Sequence, residues 1–284
     1  MTFTEKYSKI LDIVRTDIEK INLLDSLDIQ EPLSSKLSEI LNAPSKHIRP
    51  LISFLYLKVL GAEVDEKQIQ YQTAIELVHN ASLIHDDVID DSEIRRNQKT
   101  LNKDFDSKLA VIAGDYLLSV AMKKVISIGI PKLVDMFCET LKDMTKGEIG
   151  QYFDKFKIPT IEQYIRKSEQ KTARLFQTAL LGGLMLCENN ELKNADLFAK
   201  NFGIAFQIRD DLINCKQAKT DILEGIYTAP VIYSGGTDIT DIGIEKTKDL
   251  LNNYLDIAKD SLKNINNNKY KKALLELVEL FRDE

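Results

Sequence analysis

The sequence has no tryptophan, three histidines, six prolines and three cysteines among 284 residues. The cysteines, Cys138, Cys187 and Cys215, are widely spaced with no CxxC pair. That excludes a disulfide framework and points to reduced thiols in a cytoplasmic protein. No proline falls between residues 51 and 130, so nothing interrupts long helices there. There is no basic stretch interleaved with aromatics, and the net charge is -6, which argues against a nucleic-acid partner. Long apolar runs are also missing. LFQTALLGGLMLC, 175–187, carries Gln177 and Thr178 and is too short to span a bilayer, so no membrane span is expected. The start, MTFTEKYSKILDIV, lacks the apolar run of a signal peptide. Alternating strand patterns and a βαβ rhythm are absent.

What remains is helical periodicity. Phe3, Tyr7, Ile10, Val14, Ile18 and Ile21 step by three and four, predicting a helix with one apolar face. Ala74, Ile75, Val78, Ala81 and His85 do the same on the approach to a run of aspartates. LAVIAGDYLLSVAM, 109–122, is apolar nearly all round and predicts a helix at the centre of a bundle. Pro131, after Gly129, reads as a helix stop, and a helix is predicted to start after Pro50. YSGGTD, 233–238, reads as a loop. With 44% hydrophobic residues the chain can bury one large core. The fold class is all-α, one domain over 1–284 with roughly ten or more helices.

The first helical approach ends in SLIHDDVIDDSEIRR, 82–96. Asp86, Asp87 and Asp90 sit at i, i+1 and i+4, and on a helix i and i+4 share a face. Like charges so placed repel. At 203–214, GIAFQIRDDLIN repeats the layout with Asp210, Asp211 and Asn214. Both triplets end apolar helical runs, so both are expected at helix ends facing the interior. One such triplet alone reads as a solvated acidic face. Two, each in an apolar context, suggest Mg²⁺, which takes few carboxylates, several waters and substrate phosphates. Basic and polar groups to meet a phosphorylated ligand are present: His47, His79, Lys46, Arg49, Arg95, Arg96, Lys171, Thr172 and Gln207.

These stretches resemble the trans-isoprenyl diphosphate synthases, the head-to-tail polyprenyl synthetases. SLIHDDVIDDSEIRR is similar to that family's first aspartate-rich motif with its paired arginines, and FQIRDDLIN to the second. ELVHNASLIHDD, SKHIRP, the KTA at 171–173, AGDYLL at 113–118 and DILEGIYTAPVIYS at 221–234 follow in the family's order. The resemblance implies a bundle around a large central cavity and condensation of an allylic diphosphate with isopentenyl diphosphate. It implies Mg²⁺ held by Asp86, Asp87, Asp90, Asp210, Asp211 and Asn214. Of these, Asp86, Asp87, Asp90 and Asp210, with Lys171, are the catalytic set. Arg95, Lys171, Thr172, Gln207 and Lys219 would touch the allylic diphosphate. Lys46, Arg49, His79 and Arg96 would hold isopentenyl diphosphate. A homodimer is implied as well.

The chain departs from the family pattern in three places. APSKHIRP replaces GGKRxRP, with His47 for an arginine; RRN replaces RRG, with Asn97; and EGI replaces EGK, with Ile226. In the family, residues one turn before the first aspartate floor the product tunnel. Here those are Ala81 and Ser82, with Val78 below, and none is aromatic. A product of twenty or more carbons is therefore expected, leaning to a longer polyprenyl chain, and phenylalanine at Ala81 is expected to shorten it. Geranylgeranyl diphosphate synthase and the partner subunit of a heteromeric synthase are the alternatives. A magnesium-dependent diphosphate hydrolase is disfavoured by the Lys46, Arg49, His79 and Arg96 set.

Overall fold

A computed structural model describes residues 2–25, 27–188, 192–217, 222–236 and 238–282. Lys219 lies outside the described residues. The helices begin where the sequence supplies caps. Thr2 and Glu5 form a capping box at α1 (Phe3–Asp12). After the short α2 (Arg15–Ile18) and α3 (Leu33–Leu41) comes α4 (Ile48–Val59). Its N-cap is His47, and Pro50 lies inside the first turn, where a missing N–H breaks no helical bond. The helix therefore starts three residues earlier than predicted. The Asp65 side chain caps α5 (Glu66–Ile89) and that of Asp106 caps α7 (Ser107–Ser127). A two-residue pairing of β1 (Ile94–Arg95) with β2 (Gln98–Lys99) and the single-turn α6 (Leu101–Asp104) lie between them. Gly129, at φ +83, ends α7, and Pro131 opens α8 (Pro131–Phe153), so that proline starts a helix rather than stopping one.

The chain continues through α9 (Ile161–Ser168), a π-helical turn (Glu169–Ala173), α10 (Arg174–Leu186) and α11 (Leu192–Ile213). A 3₁₀ turn (Asn214–Gln217), α12 (Ala229–Tyr233), α13 (Asp241–Ser261) and α14 (Lys269–Leu280) complete it. The N-terminal periodic run is not one helix, because it breaks at Ile13 and Val14. Its apolar face survives the break, with Tyr7, Ile10, Val14 and Ile18 all buried. Likewise α7 is not buried all round: Val111, Ile112 and Ile126 are 42, 60 and 56% exposed. Among the described residues no helix is long and apolar enough to cross a membrane.

Two hydrophobic cores hold these helices. One gathers α1, α4, α11, α13 and α14 around Phe176, Phe198, Phe202 and Phe281. The other gathers α5, α7 and the first half of α8 around Tyr71, Leu117 and Phe137. Helix α10 contributes to both and is tied on by buried polar bonds. Tyr71 Oη donates to the Thr178 carbonyl at 2.8 Å, and Gln72 Nε2 donates to Ser53 Oγ and the Ala179 carbonyl at 2.9 and 2.8 Å. Satisfied buried polar groups of this kind fix helix register as well as position.

Gly203 lets α11 lie against the π-helical turn. A Cβ there would stand 2.6 Å from Ala173 Cα, which is backbone and cannot yield cheaply. Gly203→Ala is therefore expected to lower stability by about 1–3 kcal/mol, read in a denaturant melt. A neutral result would mean that the two backbones are not in contact.

Candidate active site

The cores leave a cavity of about 580 Å³ between them. Asp86 lines it from the end of α5 and Asp210 from the end of α11. Both aspartate triplets thus straddle helix C-termini, the negative ends of two macrodipoles. Carboxylates are doubly disfavoured at such positions. Burial first, then Glu148 and Asp90, pushes the Asp86 carboxyl up to about 6. Burial raises Asp210 too, although Lys46, Arg209 and Arg95 oppose the shift.

The cations facing these acids come from separate elements. Lys171 Nζ stands 3.8 Å from Asp86 and pairs with Glu148 on α8. Burial would lower this ammonium, but Asp86 and Glu148 outweigh it and hold its pKa above the ordinary value. Lys171 and Thr172 both lie on the π-helical turn, whose extra residue redirects them into the cavity. Thr172 Oγ1 donates to Gln207 Oε1 at 2.7 Å, joining that turn to α11.

Not every aspartate faces the cavity. A step of one residue turns a helix by about 100°, and Asp87 and Asp211 each point away. Arg95 Nε donates to Asp87 Oδ1 at 2.7 Å. Asp211 accepts from Tyr164 Oη at 2.6 Å and from Gln207 Nε2 at 2.9 Å, and burial pushes it up to about 6. Asn214, itself exposed, opens the 3₁₀ turn. Among the described residues no three acids, histidines or cysteines converge as a closed metal cage. The donors form two half-sites, a set suited to a hard cation completed by waters and substrate phosphate oxygens.

A second basic cluster adjoins the first. Arg49 is buried, lies over the Phe176 ring at 4.8 Å, and is lowered by burial to about 10. His79 lines the same cavity. Burial and then Arg49, Arg96, Arg95 and His47 hold its pKa well below the ordinary range, so its ring is neutral at pH 7. Lys46 Nζ lies 5.0 Å over the Phe3 ring, and its carbonyl accepts from Tyr7 Oη at 2.6 Å. Arg96 lies next to Asn97 at the tip of the β1–β2 hairpin, both at positive φ (51° and 62°). This is the backbone of a type I′ hairpin turn.

The three residues expected to set product length separate here. Val78 and Ser82 line the cavity, opposite Leu118, Leu141 and Met144. Ala81 does not. It is fully buried in the packing of the second core, one step around α5.

The sequence profile of the polyprenyl synthetase family matches residues 30–266. The chain belongs to the polyprenyl synthetase family. The decaprenyl-diphosphate synthase of Dictyostelium discoideum is 31% identical over 264 residues, covering 81% of this chain and 58% of that one. Heptaprenyl diphosphate synthase component 2 of Geobacillus stearothermophilus is 31% identical over 215 residues, covering 72% and 67%. The polyprenyl synthase of Caulobacter crescentus, solved with calcium and isoprenyl diphosphate, has the same fold. Its TM-score is 0.88 over 98% of each chain, at 22% identity.

The synthetase accommodates its departures from the family pattern locally. Asn97 takes the left-handed turn position that glycine usually fills, a conformation asparagine tolerates. Ile226 follows Gly225 (φ +76) and lines a separate polar cavity of about 200 Å³ with Lys157, Tyr164 and Lys167. His47 pairs with Glu76. Glu76, Glu148 and Tyr164 share the synthetase's site without having been singled out in the sequence. Each is a lone polar residue whose partner is far away in the chain.

Proposed function

We propose that this synthetase performs head-to-tail prenyl transfer, joining an allylic diphosphate to isopentenyl diphosphate to give a product of twenty or more carbons. The observation that carries the proposal is the pairing of Asp86 and Asp210, on two helix ends, with Lys171, Arg49 and His79 around one cavity. Acids that repel and cations from separate elements are stabilised together when a diphosphate and divalent cations lie among them.

In this reading Asp86, Asp90 and Asp210 hold Mg²⁺, while Asp87 positions Arg95 and Asp211 positions Gln207. When bound, Mg²⁺ supplies charge stabilisation to the departing diphosphate. Lys171, Arg95, Thr172 and Gln207 orient the allylic diphosphate as its C–O bond breaks. Lys46, Arg49, His79 and Arg96 hold isopentenyl diphosphate so that its double bond meets the allylic cation. A C–C bond forms, and a proton leaves the adjacent carbon for the released diphosphate. Val78, Ser82, Leu118, Leu141 and Met144 wall the growing chain and keep water from the cation. The names of the decaprenyl and heptaprenyl relatives favour a long product.

Residues 1–284 act in this reading as one catalytic domain, in the cytoplasm and as a homodimer. Ile112 and Ile126, exposed on α7, would then be covered by the second copy. A heteromeric assembly is the second reading, favoured by the relative named component 2.

The deciding experiment incubates purified protein with labelled isopentenyl diphosphate, Mg²⁺ and allylic primers of ten to twenty carbons. Elongated prenols, lost on chelation and restored by Mg²⁺, are the expected result. A folded protein that elongates no primer would overturn the homomeric reading.

A further inference from the structure

Glu76 is an acid placed among the cations of the second cluster. It lies on α5, ten residues before Asp86, and is 1% exposed. Its Oε2 is 2.8 Å from His47 Nδ1, and its Oε1 has no hydrogen-bond partner among the described residues. A buried carboxylate with an unmet oxygen is costly unless cations surround it. They do here, since its field reaches Arg49 and Arg96.

His47 is equally constrained. It caps α4 in the left-handed region, at φ 46° and ψ 39°, which is uncommon outside glycine. It stands between Lys46 and Arg49, two of the four groups assigned to isopentenyl diphosphate. The segment is held by Tyr7 Oη on the Lys46 carbonyl, the His47 amide on Ser45 Oγ at 3.3 Å, the Lys46 and Arg49 side chains over the Phe3 and Phe176 rings, and Glu76 on the imidazole. The last of these crosses to α5, the helix that also carries His79.

We infer that Glu76 is a positioning residue for the second diphosphate: through His47 it fixes the 45–49 segment so that Lys46 and Arg49 present their charges beside His79. This deepens the proposed function and rests on it. Removing one partner of a buried polar pair also costs stability, so the positioning role is read from KM for each substrate in variants that remain folded.

The test compares wild type with Glu76→Gln, His47→Ala, the double variant and His47→Arg. Glu76→Gln and His47→Ala are each expected to raise KM for isopentenyl diphosphate about tenfold, and the double variant to be no worse than either single. KM for the allylic primer and kcat at saturation stay within about twofold of wild type. His47→Arg, which places a hydrogen-bond donor facing Glu76, should return KM to near the wild-type value. Multiplying effects, an unchanged KM in both single variants, or a rise in both KM values together with a lower melting temperature would overturn the inference. If Glu76→Gln does not fold, His47→Ala still decides, because that side chain is 26% exposed. If the wild type elongates nothing, the proposed function fails. Calorimetric binding of isopentenyl diphosphate to the same variants then still reads the pair.

Discussion

Asp86→Asn is expected to stop prenyl transfer and, at the same time, to make the metal-free protein more stable. The loss of activity should reach roughly 10²–10³-fold or more in kcat, the scale on which removing one group that stabilises developing charge is felt. The gain in stability follows from the carboxyl's own position. Burial pushes it up to about 6 from an ordinary 3.8. The folded chain therefore binds this proton more tightly than the unfolded chain does. The group's contribution to stability is unimpaired below pH 4, falls as pH rises from about 4 to 6, and stays low above that. Asparagine carries no charge, so the variant should gain up to about 3 kcal/mol at pH 7 and almost nothing at pH 4. Lys171 keeps its pairing with Glu148 in the variant. Thermal melts in chelator at the two pH values, beside turnover assays, check both halves. Wild-type turnover in Asp86→Asn, or a melting difference that does not depend on pH, would contradict this account of the first aspartate triplet.

Ser82→Phe is expected to shorten the product, whereas Ala81→Phe is not. Ser82 lines the cavity, with its hydroxyl donating to the His79 carbonyl at 2.8 Å, so an aromatic ring there projects across the space facing Leu118 and Met144. Ala81 is fully buried within the second core, where a ring has no room. Ala81→Phe should overpack the core at a cost of about 1–3 kcal/mol and leave product length unchanged. Chromatography of the dephosphorylated prenols, read beside melting temperatures, separates the two. A shorter product from Ala81→Phe with normal stability would reverse the assignment of the wall. The expectation drawn from the sequence put both residues at the floor, because spacing along a helix measures height and not which side a residue faces. The packing of α5 against α7 decides the side.

The same limit explains what else was legible. The aspartate triplets, the lysine and threonine of KTA and the basic residues around His79 stand out because residue type, spacing and apolar context coincide. The turning away of Asp87 and Asp211 does not stand out, since i and i+1 look alike in sequence and differ by a rotation fixed only when Arg95 and Tyr164 arrive from elsewhere. The break after α1 was hidden because the apolar face continues across it. The exposure of Ile112 and Ile126 was hidden because an apolar helix reads the same whether its outer face meets the core or is left uncovered. Glu76 and Glu148 were silent for another reason: a single acid in a helix is commonplace, and its meaning lies in a partner 29 or 23 residues away.

The two-core arrangement has a consequence for how such an enzyme diversifies. Val78, Leu118, Leu141 and Met144, which wall the cavity, all pack with the second core, while α4 and α11, with the second aspartate triplet, belong to the first. Lineages can therefore lengthen or shorten their product by repacking one core in small steps. The other, which carries the second aspartate triplet, keeps its inherited side chains.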